Sequence, residues 1–367
     1  MAEPASSEPQ VIREIRINPI VPAESVLVAT ARSMRPKQAE APAPRDTRTH
    51  VETCPFCSGN EHMTPPAIAT YPPGEEAWAV RIVENLYPVL GDDRRNPNFS
   101  FGLQQTIDGY GRHEVIIDHN HHGISVHEMS AAHIAMLFGA YRERMAQLYA
   151  SDERLRYVLV FKNFGPAAGG SIPHTHSQVI ATPVVPENVR AEVDASRRYY
   201  DKNHCCIFCA LIDEALTFEA TIYDRESGQV RRRLDVGQYV IERGKHFIAI
   251  KPFASRYEWE VHILPLQHQA DYLQISQEQL DDLGQVLKRT MMRLDAVLGG
   301  VQYNYFLHSL PRGEDDRQCR DSYHWHLEIC PRTSIPTGFE LGSGLYVNTI
   351  SPEQAAAQLR AVSIETA

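Results

Sequence analysis

Two histidines separated by one residue, His174-Thr175-His176, follow a run of small residues from Gly165 to Ser171 and precede Gln178. In an extended segment side chains alternate faces, so His174 and His176 project the same way. If a metal ion holds His174, it also fixes the backbone that presents His176. The first histidine then anchors and the second reacts. Gly169 and Gly170 let the backbone approach a bulky anion, with backbone N–H groups and the Ser171 hydroxyl available to phosphate oxygens. The competing readings are a satisfied core histidine for His176 and an ordinary turn for the small residues.

Metal ligation is suggested by two Cys-x-x-Cys pairs. Thiolates two residues apart, with imidazoles from distant strands, make a tetrahedral Cys2His2 zinc site. Cys54, Cys57, His122 and His174 offer one such set, and Cys206, Cys209, His268 and His324 a second. Buried free cysteines and core histidines are the alternative. Repetition at matched spacing favours metal: Cys206 stands 152 residues after Cys54, His268 146 after His122, and His324 150 after His174. Four protein ligands leave no open position, so two Zn²⁺ ions would act as structural staples. The second triplet, His324-Trp325-His326, lacks the glycine-rich run and carries Glu328 where Gln178 stands. It reads as a structural copy without the reaction.

The elements around these groups repeat as well. Each Cys-x-x-Cys precedes strand-like runs (WAVRIVENLYPVL and HEVIIDHNHH; HFIAIKPF and WEVHILPLQH), then a long amphipathic helix, then two further strands. Ser125 with Glu128 and Ser276 with Gln279 are candidate capping boxes for the two helices. The fold class expected is α+β, a duplicated unit of mostly antiparallel strands with one long helix packed on each copy. Residues 1–185 form the first half and 186–367 the second, joined by a polar helical stretch at 186–204. A short helix opened by Ser351 and Pro352 closes the chain. Residues 1–10 and 36–50 read as loops.

A chain of 367 residues, 43% hydrophobic with a formal charge of −10, suits a globular protein and excludes a broad basic surface for nucleic acid. No signal peptide or membrane-spanning run is expected, and seven cysteines arranged around metal-type spacings suit a reducing, cytoplasmic compartment.

The pattern N-x-G-x-x-x-G-x-S-x-x-H-x-H-x-Q, carried by Asn163, Gly165, Gly169, Ser171, His174, His176 and Gln178, resembles the active-site signature of the galactose-1-phosphate uridylyltransferase family of the histidine-triad superfamily. The resemblance runs from residue 26 to the C-terminal helix. It implies that His176 attacks the α-phosphorus of a nucleotide sugar and that Gln178 steadies a phosphoryl oxygen. It implies that Arg32 and Arg35 bind phosphate, that Asn85 contacts the nucleotide, and that Glu340 lies in the hexose-binding stretch. A homodimer that completes the sugar pocket is implied too. The second Cys2His2 set departs from the bacterial uridylyltransferase pattern, in which a carboxylate and three histidines hold iron, and resembles the two-zinc branch that includes plant ADP-glucose phosphorylase. Thr175 replaces the usual proline, and Ser334 stands where a lysine is expected.

The resulting expectation is nucleotidyl transfer from an NDP-sugar such as UDP-glucose to a hexose 1-phosphate through a covalent nucleotidyl-histidine. Inorganic phosphate is the alternative acceptor, which would make the enzyme an NDP-sugar phosphorylase. A histidine-triad hydrolase and a nucleotide-binding regulatory protein are the remaining rivals.

Overall fold

The computed structural model describes residues 11–34, 46–75, 77–92, 98–313 and 317–364. Ten strands form one antiparallel sheet: β1 (Ala67–Tyr71), β2 (Val80–Glu84), β3 (Arg112–Ile117), β4 (Tyr157–Phe164), β5 (His176–Thr182), β6 (Val240–Arg243), β7 (Phe247–Ile250), β8 (Val261–Pro265), β9 (Tyr303–His308) and β10 (His326–Pro331). Outward from the middle, the first half runs β4-β5-β3-β2-β1 and the second β9-β10-β8-β7-β6. The strand order is the same in both halves, as duplication requires. The two units are joined edge to edge, with β4 antiparallel to β9 and Asn163 opposite Asn304. Pairing the two β4-type edges removes what would otherwise be exposed, aggregation-prone strands.

One face of the sheet carries two long helices, α1 (Ala131–Ser151) and α4 (Gln277–Leu298). Ile134, Leu137, Phe138 and Tyr141 of α1 and Leu280, Leu283 and Leu287 of α4 are fully or almost fully buried against Val158, Val160, Val179, Leu327 and Ile329. Each large apolar side chain so buried contributes about 1.5–3 kcal/mol. The helices also touch each other closely. A Cβ at Gly284 would come within 2.3 Å of the Ala131 carbonyl oxygen, so glycine there sets the spacing.

The opposite face is covered differently in each half. The loop carrying Cys54 and Cys57 packs Phe56 and Trp78 on Val115 and Ile117. In the second half, α2 (Glu187–Asn203) and α3 (Ile207–Thr217) lay Val189, Val193, Phe208 and Ile212 on Tyr157, Ile248 and Leu264. The stretch expected to link the halves is thus mostly helix α2.

Helix starts follow the sequence with one correction. Ser276 and Gln279 close a full capping box on α4, which ends at left-handed Gly299. Ser351 caps α5 (Pro352–Ala361), with Pro352 in its first turn. Ser125 and Glu128 do bond each other, with the Ser125 amide 2.9 Å from the carboxylate, but they close a separate turn. Extended Ser130 breaks that turn from α1 and caps it, accepting from the His133 amide. Residues 1–10 lie outside the described residues, as do 36–45; residues 46–50 run without regular structure. A three-stranded sheet (Arg13–Arg16, Val26–Ala29, Tyr346–Asn348) ties the two ends of the chain together.

Candidate active site

Strand β5 opens at His176, whose neighbours alternate as the strand geometry demands. Ser177, Val179 and Ala181 face the helices, and His176 and Gln178 face away from them. His174 and His176 therefore share one side. The His176 ring, 7% exposed, packs 5.2 Å from the Phe56 ring. Its Nδ1–H donates to the carbonyl of His174 at 2.8 Å, which leaves Nε2 as the lone-pair nitrogen. Burial pushes its pKa below the ordinary histidine value, so the ring is held in its neutral, nucleophilic form.

Behind His176, on the helix side, sits a fully buried ion pair between Lys162 and Asp118. Lys162 Nζ also donates to Thr175 Oγ1 at 2.7 Å and to the His176 carbonyl at 3.1 Å. Asp118 accepts from Ser177 Oγ, which is 2.6 Å from the Tyr141 hydroxyl. The backbone of the triplet is thereby held from the helix side. Lys162→Met should strand Asp118 as an unpaired buried charge and destabilise the fold by about 3–5 kcal/mol. Denaturant unfolding measures it; a loss below about 1 kcal/mol would show that the pair does not hold the segment.

Gln178 is oriented by a residue that sequence reasoning missed. The Val89 amide donates to His113 Nδ1, so His113 Nε2 carries the proton and donates to Gln178 Oε1 at 2.8 Å. The Gln178 amide hydrogens are then left to face the site. Asn85 Nδ2 lies 3.1 Å from the same His113 nitrogen, and its Oδ1 accepts from the Tyr87 amide. Asn85, His113 and Gln178 thus form one cluster. A lone histidine in a strand gave no signal of this beyond its position in HEVIID.

The small-residue run makes a tight turn. Gly165 and Gly169 have φ of +87° and +81°, and a Cβ on Gly170 would lie 2.8 Å from the Asn163 carbonyl oxygen. Asn304 of β9 donates to Asn163 Oδ1 and to the Ala168 carbonyl, both at 2.8 Å, so the second half braces this loop. One expectation is corrected. The amides of Gly169 and Gly170 donate within the turn, to Pro166 and Gly165, because a turn this tight uses its own N–H groups. These glycines shape the loop, and Ser171 is exposed at its end.

Arg32 is exposed, on a turn at Thr30–Met34, and is close enough to act electrostatically on Glu340. Glu340 itself caps the short helix Gly338–Ser343, accepting from Thr337 N and Oγ1 at 2.9 and 2.7 Å. Neither touches the His176 cluster among the described residues. Arg35 lies outside the described residues.

Both Cys/His sets converge. The ligand atoms of Cys54, Cys57, His122 and His174 lie within 4.8 Å of one another, as do those of Cys206, Cys209, His268 and His324. Sulfur to Nδ1 distances are 3.5–3.7 Å in the first set and 3.3 and 3.6 Å in the second. The S···N edge of a tetrahedral zinc site is about 3.6 Å. The far ring nitrogens of His174, His268 and His324 meet the carbonyls of His119, Arg320 and Pro265 at 2.7–2.9 Å, the outer contact that orients a ligating imidazole. The donor sets fit a metal ion.

Comparison with known proteins gives the same picture. Residues 5–186 match the family described as galactose-1-phosphate uridyl transferase, N-terminal domain. ADP-glucose phosphorylase of Arabidopsis thaliana is 30% identical over 353 residues, spanning 96% of this chain and 93% of the relative. Galactose-1-phosphate uridylyltransferase of Thermotoga maritima is 27% identical, spanning 96% and 99%. The crystal structure of the Arabidopsis ADP-glucose phosphorylase with bound ADP-glucose superposes with a TM-score of 0.79 at 29% identity, covering 96% of this chain and all of that one. A uridylyltransferase structure gives 0.68 at 26%, covering 95% and 97%. With the repeated sheet, the His-x-His-x-Gln segment on β5 and similarity along nearly the whole chain, this protein belongs to the galactose-1-phosphate uridylyltransferase family.

Proposed function

We propose that the protein is a nucleotidyltransferase that moves a nucleoside monophosphate from an NDP-sugar such as UDP-glucose to a hexose 1-phosphate, a reaction of galactose metabolism. The observation that carries this is the His176 ring, pinned through Nδ1 with Nε2 free of its own backbone. Nε2 attacks the α-phosphorus, an N–P bond forms, and the P–O bond to the sugar phosphate breaks with its electrons leaving on the sugar 1-phosphate. Positive charge then develops on the imidazole, and the His174 carbonyl that accepts Nδ1–H stabilises it. The acceptor phosphate reverses the sequence, breaking the N–P bond.

Gln178, with its Oε1 tied to His113, turns amide hydrogens to the phosphoryl oxygens. Ser171 adds a hydroxyl, Asn163, Gly169 and Gly170 shape the close approach, Asn85 contacts the nucleotide, and Arg32 and Arg35 bind phosphate. Gln178→Ala should slow both half-reactions by about 10²–10³-fold, the usual loss for one oxyanion donor. Pre-steady-state kinetics would read it, and an unchanged first half-reaction would remove Gln178 from the mechanism.

The nucleophile and one Zn²⁺ fall in the half 1–185, a second Zn²⁺ and α5 in the half 186–367; both ions brace loops and neither takes part in a chemical step. Among the described residues no helix is long and apolar enough to cross a membrane. The family resemblance supports a cytoplasmic homodimer whose partners are small nucleotide sugars and phosphates, with no nucleic acid.

A second reading takes inorganic phosphate as acceptor, making the enzyme an NDP-sugar phosphorylase. It is favoured by Glu340, whose carboxylate is occupied by its own helix cap, and by similarity to the Arabidopsis ADP-glucose phosphorylase. Offering UDP-glucose or ADP-glucose with either galactose 1-phosphate or phosphate separates the two. Exchange of sugars supports transfer and release of free nucleoside diphosphate supports phosphorolysis. Hydrolysis to the monophosphate at equal rates with and without acceptor contradicts both.

A further inference from the structure

The second half contains a cavity of about 420 Å³ that the reaction at His176 does not use. It lies on the face of the sheet opposite α1 and α4, between β10 and helix α3. By the spacing of strands, β10 is about 14 Å from β5, with β9 and β4 between them. Duplication explains the histidine at its base. His326 repeats the pose of His176: its Nδ1 meets the carbonyl two residues before it at 3.1 Å, and Phe208 packs 5.1 Å from its ring as Phe56 does in the first half. The scaffold has built the same histidine-on-phenylalanine arrangement twice.

The second pocket has different chemistry. Its walls include Phe208, Leu211, Ala215, Phe218 and Leu234. Its floor is a buried ionic network in which Glu328 takes the place of Gln178. Arg256 bonds Glu328 at 3.1 Å, His262 bonds Glu260 at 2.9 Å, and His308 and Tyr323 bond Glu192 at 3.0 Å. Burial opposes charge on His262 and His308, but the facing carboxylates prevail and raise both pKa values. The floor thus sets Glu192, Glu260 and Glu328 against Arg256 and two imidazoles whose protonation those carboxylates favour.

The further negative charge lies at the exposed Glu214 and Asp235, which also line the cavity; Glu24 there is paired with Arg256 at 3.8 Å, and Lys251 is turned to the carbonyls of Tyr257 and Glu260. A phosphate group would meet net negative charge here. Keeping so many ionised groups under an apolar cavity is costly compared with apolar side chains of the same volume, and such clusters mark binding sites.

We propose that this cavity is a second binding site, separate from the His176 centre, for a small organic cation, with its ammonium or amidinium group at the carboxylate-rich rim and its apolar body against Phe208, Phe218 and Leu234. Aromatic faces and carboxylates both attract such a group, and the 420 Å³ volume suits a molecule of one ring or a short chain.

The test is calorimetric titration of the full chain near neutral pH with phenethylamine, agmatine and choline, and with phenylacetate as an anion of matching shape. At least one cation should bind saturably at one site per chain, and phenylacetate should not. Glu214→Gln with Asp235→Asn, which keeps shape and removes rim charge, should weaken that cation about tenfold. Ala215→Trp should abolish binding by filling the cavity. If Ala215→Trp does not fold, the charge variant decides alone. Saturable binding of none of the three cations, equal binding of phenylacetate, or cation affinity unchanged in the charge variant would each overturn the proposal.

Discussion

Replacing His176 by glycine should lower nucleotidyl transfer by about 10⁴-fold or more while leaving the fold intact. The size of the effect follows from the reaction route. Without Nε2, a phosphate oxyanion of the acceptor must displace another phosphate directly at a negatively charged phosphorus, and the two-step path is lost. The fold should persist at a modest cost in stability: the ring's packing on Phe56 is lost, but its hydrogen bond is a local one to the His174 carbonyl, and the Lys162–Asp118 pair holds the same backbone without it. Steady-state rates with circular dichroism as the folding control measure both quantities. A variant that keeps more than about a tenth of wild-type turnover would assign the nucleophile elsewhere.

The second large effect concerns the metal. Protein purified without chelator should carry two zinc ions per chain, and structural zinc typically contributes on the order of 10 kcal/mol to the order of its ligating segment. The two sites should differ in consequence. Cys54→Ser removes a ligand of the ion that His174 would share, so it should release one zinc and strongly reduce turnover, because the His174 backbone carries the carbonyl that orients His176. Cys206→Ser should release the other zinc and lower the melting temperature while folded molecules keep most of their turnover. Elemental analysis, thermal unfolding and rate measurement on the two variants check this. No zinc in the wild-type protein, or equal loss of turnover in both variants, would contradict the division of roles.

Much of this was legible in the residues. Repeated ligand spacing exposed the duplication because metal geometry tolerates little drift, and the sheet reproduces it with matching strand order in both halves. Alternation along β5 correctly placed His174 and His176 on one side. The capping box at Ser276 and Gln279 was legible because it is local, whereas Ser125 and Glu128 form the same local bonds one turn too early, and only the extended backbone at Ser130 shows where α1 begins.

What escaped was tertiary. His113 acts by reaching a diagonal neighbour on β5, and Lys162 by reaching Asp118, 44 positions away, through the sheet. No spacing rule in one sequence encodes such pairs. Asn304, which braces the Gly165–Ser171 loop, depends on the β4–β9 junction, and that junction exists only once both halves have folded. The inward turn of the Gly169 and Gly170 amides likewise follows from a loop too tight to leave them free.

The most direct measurement uses the protein with a nucleotide sugar labelled in its α-phosphate and no acceptor. The denatured chain is weighed and the labelled peptide identified. The expected result is a mass increase of one nucleoside monophosphate, located on His176 and discharged when acceptor is added. No adduct in the wild-type chain, or an equal adduct in His176→Gly, would contradict covalent transfer through this histidine.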